Sequence, residues 1–380
     1  MSKTDEVLTR GVEQILPSKK GLADLMRKKK ITLYQGFDPS MPNLHIGNWI
    51  GIRKLAQFQK LGHKVIFLIG DFTGMIGDPT DKTTTRKKMS RKQVLKNAKD
   101  YTKQVSKTLK FSGPNAAKVL FNSEWLSKLS FEDVVELASN FTVQQILERD
   151  FFQERIKREK AIHIPELLYP LMQAYDCVQM NIDLEVGGSD QLFNMLVGRS
   201  LMKKLKNKEK YVLTIKLLED PTGKKMGKTE GNTINLTDSA ENIFGKIMAL
   251  PDNLINPGIE LLTDLPLDFA KNKKPLTAKR KIAFDVVKQI HGDAQAFLAQ
   301  DYFDKTFHKR TPEYKTFVPN KGTLLSTAAY ASRASISQTK RLLSQGAIDV
   351  NGKAIKDPLF KLKGGERIKI GKKTFVKVKK

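Results

Sequence analysis

The stretch "TLYQGFDPSMPNLHIGNWIGIRKLAQF", Thr32–Phe58, joins a strand-like beginning to a helix-like end through a run of turn formers. Ile31–Gly36 reads as a strand entering a turn. From Leu44 to Leu61 apolar residues recur at helical spacing (Ile46, Trp49, Ile50, Leu55, Phe58), and "LGHK" stops the helix. "VIFLIGD" (Val65–Asp71) then reads as a buried strand. Strand, helix and parallel strand within about forty residues make a βαβ unit. The spacing therefore predicts an α/β chain whose first domain is a Rossmann-like parallel sheet.

A helix that starts behind the first such strand offers free backbone N–H groups and the positive end of its dipole, a phosphate site at the sheet's carboxyl edge. His45 and Asn48 stand three apart, one turn, so both side chains can aim at one anion. Gly47 removes a side chain that would block the approach, and Gly36 does the same after the strand. An ordinary capped helix accounts for the same residues.

Beyond this unit, residues 22–30 look like a short helix and 84–165 are mostly helical in pattern, with a strand at Lys118–Ser123. Leu213–Leu218 is a further strand, followed by the loop "EDPTGKKMGKTEG". Residues 238–310 read as helices broken at Pro251, Pro257, Pro266 and Pro275. Near the end come a helix (Ser335–Gln345) stopped by Gly346, a strand, an Asn351-Gly352 turn and another strand, then the hairpin "RIKIGKKTFVKV".

At 380 residues the chain is long enough for two or three domains. Its apolar runs are too short to cross a bilayer, and "MSKTDEVLTR" has no apolar core of a signal peptide, so a cytoplasmic protein without a membrane partner is expected. The single cysteine, Cys177, excludes an internal disulfide, and the five histidines show no metal-ligand spacing. Lys and Arg number 67 against 40 Asp and Glu, a formal charge of +27. Residues 321–380 hold 15 of those cations and 3 acids, or +12. That concentration favours a polyanion partner, because each neutralised phosphate releases condensed counterions. A generally basic, solubilising surface is the blander explanation.

"KKMGKT" (Lys224–Thr229) sets Lys225 and Lys228 three apart across a glycine, where a loop can close over a polyphosphate and neutralise growing charge. "HIGN" followed far downstream by "KMGKT" resembles the paired signatures of class I aminoacyl-tRNA synthetases, usually "HIGH" and "KMSKS". "YQGFDPSMPNLHIGN", "LGHKVIFLIGDFTGMIGDPT", "LMQAYD" and "GGSDQLFN" resemble the bacterial-type tyrosyl-tRNA synthetases in particular, over essentially the whole chain. The resemblance implies activation of L-tyrosine by ATP, with Mg²⁺ brought on the nucleotide, no organic cofactor and no protein metal cage, then transfer to tyrosine tRNA. A tryptophanyl-tRNA synthetase and a non-catalytic RNA-binding relative are the rivals.

On the same resemblance, Tyr34 and Asp176 pair with the tyrosine hydroxyl, while Tyr169, Gln173 and Asp78 take the ammonium and Gln191 lies by the carboxylate. Tyr169, Gln173 and Asp176 fall at i, i+4 and i+7, one helix face. Pro170 interrupts that face, and the regular helix is expected to start near it. The glycine turn Gly187–Gly188 leads to Asp190, which the family sets on the ribose. Asp38, with Pro39 beside it, reaches the adenylate. His45, Asn48, Lys225, Lys228, Lys82 and Arg86 are the charge-stabilising set, with Met226, Gly227 and Thr229 completing the ATP loop. Asn48 stands where the family has histidine; it keeps an N–H donor and cannot become cationic.

The expected domains are a catalytic domain at 1–230 with a helical insertion around 120–165, a helical anticodon-binding domain at 231–317, and a small α+β, S4-like RNA-binding domain at 318–380. Arg333, Lys340 and Arg341 are its RNA-facing cations, reading shape and phosphates. A homodimer meeting through the 120–165 helices is implied as well.

Overall fold

The computed structural model describes residues 2–78, 88–219, 233–308, 314, 316–371 and 374–379. These form two compact units, Met1–Phe297 and Leu298–Lys380.

The first unit is built on six strands: β1 (Val12–Leu16), β2 (Thr32–Phe37), β3 (Lys64–Ile69), β4 (Lys118–Phe121), β5 (Leu184–Gly188) and β6 (Tyr211–Ile215). Their order is β1-β6-β5-β2-β3-β4. Every neighbouring pair is parallel except β1 with β6. The expected βαβ unit is present as β2, α1 (Ile46–Lys60) and β3. Strand β3 is buried from Val65 to Ile69, as a parallel strand covered on both faces requires. Strand β1, which no sequence pattern marked, is an antiparallel edge with mostly half-buried residues.

Chain order runs outward from the middle in both directions: β2, β3, β4 to one side, β5 and β6 to the other. The sheet thus switches direction between β2 and β5, and an open α/β sheet binds ligands at the carboxyl ends beside such a switch. The ladder joining these two strands covers only Leu33/Leu184 and Tyr34/Glu185.

Two helices, α2 (Ile164–Met180) and α3 (Leu192–Lys206), pack on one another beside β5. Helix α2 starts at Ile164, six residues ahead of Pro170, and runs through it. The early start comes from its N-terminus: Glu166 Oε1 accepts from the His163 N–H at 3.1 Å, and the same carboxylate is ion-paired with buried Arg155. These contacts outweigh the hydrogen bond that Pro170 cannot make. Pro257 likewise breaks nothing; it sits in the first turn of α4 (Ile255–Leu262), where its missing N–H costs little.

The second unit contains a five-stranded sheet, ordered β7-β11-β10-β8-β9: β7 (Thr316–Val318), β8 (Ile348–Val350), β9 (Lys353–Ala354), β10 (Arg367–Ile370) and β11 (Thr374–Val378). The turn between β8 and β9 is the expected Asn351-Gly352, both at positive φ. Helices α5 (Leu324–Ser332) and α6 (Ile336–Ser344) cover a core that includes Leu324, Leu343, Ile348, Ile368 and Val376. Among the described residues no helix is long and apolar enough to cross a membrane.

Candidate functional site at the sheet's switch point

The loop after β2 ends in His45, the N-cap of α1. His45 Nδ1 accepts from the Gly47 N–H at 3.1 Å, and Asn48 Oδ1 accepts from the His45 N–H at 3.1 Å. Histidine and asparagine therefore cap the helix start reciprocally. A Cβ on Gly47 would stand 3.0 Å from the His45 ring, so this glycine makes room for the imidazole. Gly36 differs: among the described residues a Cβ there would meet only Leu68, at 3.8 Å, an ordinary contact.

Residues 220–232, including Lys225, Met226, Gly227, Lys228 and Thr229, lie outside the described residues, as do Lys82 and Arg86. Past residue 232 the described chain lies beside the cap: the Ile46 N–H donates to Ile234 O at 2.9 Å, and the Leu236 N–H to Leu44 O at 2.8 Å.

Along α2, the expected face is present. Tyr169 Oη donates to Asp38 Oδ2 at 2.8 Å, and Thr73 Oγ1 donates to Asp38 Oδ1 at 2.7 Å. The carbonyl of Pro39 accepts from Asn97 Nδ2 at 2.9 Å. Asp176 is buried and accepts from Trp125 Nε1 at 2.7 Å and from Asn122 Nδ2 at 3.2 Å. Burial pushes its carboxyl well above the ordinary range, against those two hydrogen bonds. Asn122 also donates to Thr73, so Asp38 and Asp176 belong to one hydrogen-bonded network.

The Tyr34 hydroxyl does not bond to Asp176. It donates to Glu185 Oε1 at 2.7 Å and lies 3.2 Å from Cys177 Sγ. Gln173 Nε2 shares the same acceptor, at 2.9 Å. Burial pushes the Tyr34 phenol well up, and the neighbouring Cys177 and Glu185 add to it. Gln173, which the resemblance sets with Tyr169 and Asp78, thus shares a carboxylate oxygen with Tyr34.

After β5, Gly187 and Gly188 are the strand's last residues rather than a turn, and Ser189–Gln191 forms a short 3-10 turn. A Cβ on Gly188 would collide with Asp190 Oδ1, so the aspartate folds back over the strand end. Gln191 Nε2 donates to Asp78 Oδ2 at 2.6 Å, and Arg149 Nη2 stands 3.9 Å from Asp78 Oδ1. Arg149 is buried against Phe151 and Phe193, and burial lowers its guanidinium against the pull of Asp78. Sequence reasoning missed Arg149, Asn122, Trp125, Glu185 and Lys210. Only Glu185 left a trace, as a carboxylate inside the apolar run "DLEVGG".

In the second unit Arg333, Lys340 and Arg341 are exposed, Arg333 as the left-handed cap of α5 and the other two on α6. Among the described residues no group of three or more His, Cys, Asp or Glu could hold a metal ion.

The sequence profile of the tRNA synthetases class I (W and Y) matches residues 26–308. The tyrosine–tRNA ligase of Carboxydothermus hydrogenoformans is 40% identical over 400 aligned residues, 98% of this chain and 97% of that protein. That of Thermotoga maritima is 38% identical, over 98% and 96%. A crystal structure of a C-terminally truncated Aspergillus nidulans mitochondrial tyrosyl-tRNA synthetase covers 80% of this chain and 94% of its own. It superposes with a TM-score of 0.68 at 22% identity, a likeness of fold. With end-to-end identity to curated relatives, this chain belongs to the class I tRNA synthetases, in their bacterial-type tyrosyl-tRNA synthetase branch.

Proposed function

We propose that the protein is a tyrosine–tRNA ligase, which joins L-tyrosine to the α-phosphate of ATP, releases pyrophosphate, and passes the tyrosyl group to the 3′ end of tyrosine tRNA. The observation that carries this reading is the line of hydrogen-bonded polar groups beside the switch point: buried Tyr34 and Asp176 with half-buried Gln173, set against apolar side chains. A pocket that pairs a phenolic hydroxyl needs such groups, and it rejects phenylalanine because they would be left unpaired, a rule for which this family is the standing example.

The tyrosine carboxylate is itself the nucleophile, so no general base is required. The protein's task is alignment and stabilisation of charge on the phosphates. Asp78 and Tyr169 would hold the ammonium, Gln191 the carboxylate, and Asp38 and Asp190 the adenylate, with Gly36, Gly47 and Gly188 keeping the approach clear. His45, Asn48, Lys225, Lys228, Lys82 and Arg86 are assigned to the triphosphate, and Mg²⁺ arrives as part of that substrate. The anchoring of Ile234–Leu236 beside His45 supports a shared site. Lys228 lies six residues before Ile234 in the sequence, so chain length alone keeps it within about 22 Å of that anchor.

Residues 318–380, a basic stretch with its own sheet and two helices, fit an S4-like RNA-binding domain, and residues 231–317 fit an anticodon-binding segment. A homodimer fits the exposed apolar residues Phe131, Val135 and Val143 (85%, 54% and 62% exposed) in the 120–165 helices, and a cytoplasmic setting goes with the same reading. The deciding experiment is exchange of pyrophosphate into ATP with tyrosine, with tryptophan and with neither. Exchange dependent on tyrosine alone is expected. Exchange driven by tryptophan favours the rival specificity, and none with either amino acid favours a non-catalytic RNA-binding protein.

A further inference from the structure

Behind the phenolic end of the pocket lies a charged pair that neither motif includes. Glu185 of β5 and Lys210, the residue before β6, are both fully buried and ion-paired through Oε2 and Nζ. Lys210 Nζ also donates to Met195 O at 2.8 Å. Gly198 of α3 makes room for them: a Cβ there would stand 2.7 Å from Lys210 Nζ. Burial opposes the Lys210 charge, but Cys177 and Glu185 hold its ammonium above the ordinary value.

A buried ion pair rarely stabilises a fold more than apolar residues of the same volume, so its presence calls for a role other than stability. Its geometry supplies one. One carboxylate oxygen faces the ammonium, and the other accepts from Tyr34 Oη and Gln173 Nε2. A carboxylate can only accept, so the Tyr34 hydrogen must point inward, away from a ligand. We propose that Glu185 and Lys210 are positioning residues that fix the Tyr34 hydroxyl as a hydrogen-bond acceptor toward the phenol of tyrosine, and so help the site prefer tyrosine to phenylalanine. The proposal rests on the tyrosine-activating reading above and adds to it how the hydroxyl is recognised.

The test replaces the pair in the full-length protein with apolar residues of similar volume, Glu185→Leu/Lys210→Met, which avoids stranding either charge. Pyrophosphate exchange yields kcat and KM for tyrosine, and phenylalanine is titrated as a competitor for its Ki. Tyrosine KM is expected to rise about tenfold, with kcat changed less than about threefold and phenylalanine Ki unchanged. In a Tyr34→Phe background the same replacement should change tyrosine KM less than about twofold, because the pair acts through that hydroxyl. The conservative double variant Glu185→Gln/Lys210→Met keeps an oxygen for Tyr34 and should recover most of the tyrosine KM. It also provides the comparison if the apolar variant does not fold. Equal weakening of tyrosine and phenylalanine, an undiminished effect in the Tyr34→Phe background, or no recovery with glutamine would overturn the proposal. Absence of tyrosine-dependent exchange in the unmodified protein would instead remove the functional reading beneath it.

Discussion

The two ends of the substrate site proposed at the switch point are built on opposite plans. At the phenolic end, Asp176, Tyr34, Gln173 and Glu185 are each held by partners on other elements, inside a core of apolar side chains. At the end proposed for the phosphates, His45 and Asn48 cap a helix start around half-buried Gly47, and the cations assigned to the triphosphate lie outside the described residues. The difference follows from the two tasks. Distinguishing one hydroxyl requires groups that cannot relax when it is missing, whereas neutralising a polyphosphate requires positive charge delivered when substrate is present.

The sharpest way to break this contrast is Asp176→Ala. It removes a phenol partner and leaves the Trp125 and Asn122 donors without their acceptor in a buried site. The expected result is a loss of tyrosine kcat/KM of about a hundredfold or more, roughly 3 kcal/mol, measured by pyrophosphate exchange. A change below about tenfold would mean that Asp176 belongs to the core and not to the pocket.

Both ends should be indifferent to the second unit. Its sheet begins at β7, so a cut at residue 321 would strand that strand, and the informative truncation removes 314–380. Transfer of tyrosine to tRNA should fall at least about thirtyfold, while exchange stays within about twofold. In the intact protein, tRNA binding should weaken steeply with added salt and tyrosine KM should not, since phosphate contacts release counterions. Equal loss of both reactions in the truncated chain would contradict a separate RNA-binding module.

The helix start at His45 was legible because its signal is local. His45, Gly47 and Asn48 lie within one turn, and the structure places them at a helix start as the spacing required. The second unit's helix and Asn351-Gly352 hairpin were legible for the same reason: caps and turns are written in adjacent residues. The phenolic end was only half legible. Asp176 and Gln173 announce a polar helix face, but Trp125 and Asn122 reach Asp176 from some fifty residues away, and Lys210 meets Glu185 across two strands. No periodicity encodes such meetings. Strand β1 escaped notice because an edge strand lacks the strong apolar run of a buried one, and Pro170 misled because buried contacts at a helix start outweigh one lost backbone bond.

Gly36→Ala sharpens the comparison from the phosphate side. Among the described residues only Leu68 is in ordinary contact with the added Cβ, so stability should change by less than about 0.5 kcal/mol, which a thermal melt would register. ATP-dependent exchange should nevertheless fall about tenfold, because the open space belongs to the ligand. An unaltered exchange rate would show that the space beside β2 is empty in the complex too.

The smallest expected effect is at Asn48. Its side-chain oxygen accepts from the His45 N–H, a duty that a neutral histidine ring nitrogen can also perform. Asn48→His therefore keeps the cap while neutral and carries positive charge near the triphosphate only by giving that hydrogen bond up. One partly exposed cation beside solvent contributes up to about 1 kcal/mol, so exchange should rise by less than about tenfold, with ATP KM moving more than tyrosine KM. A gain above about a hundredfold, or 2.7 kcal/mol, would mean that asparagine disables the phosphate end. The functional reading would then have to explain an activation site held far below its capacity.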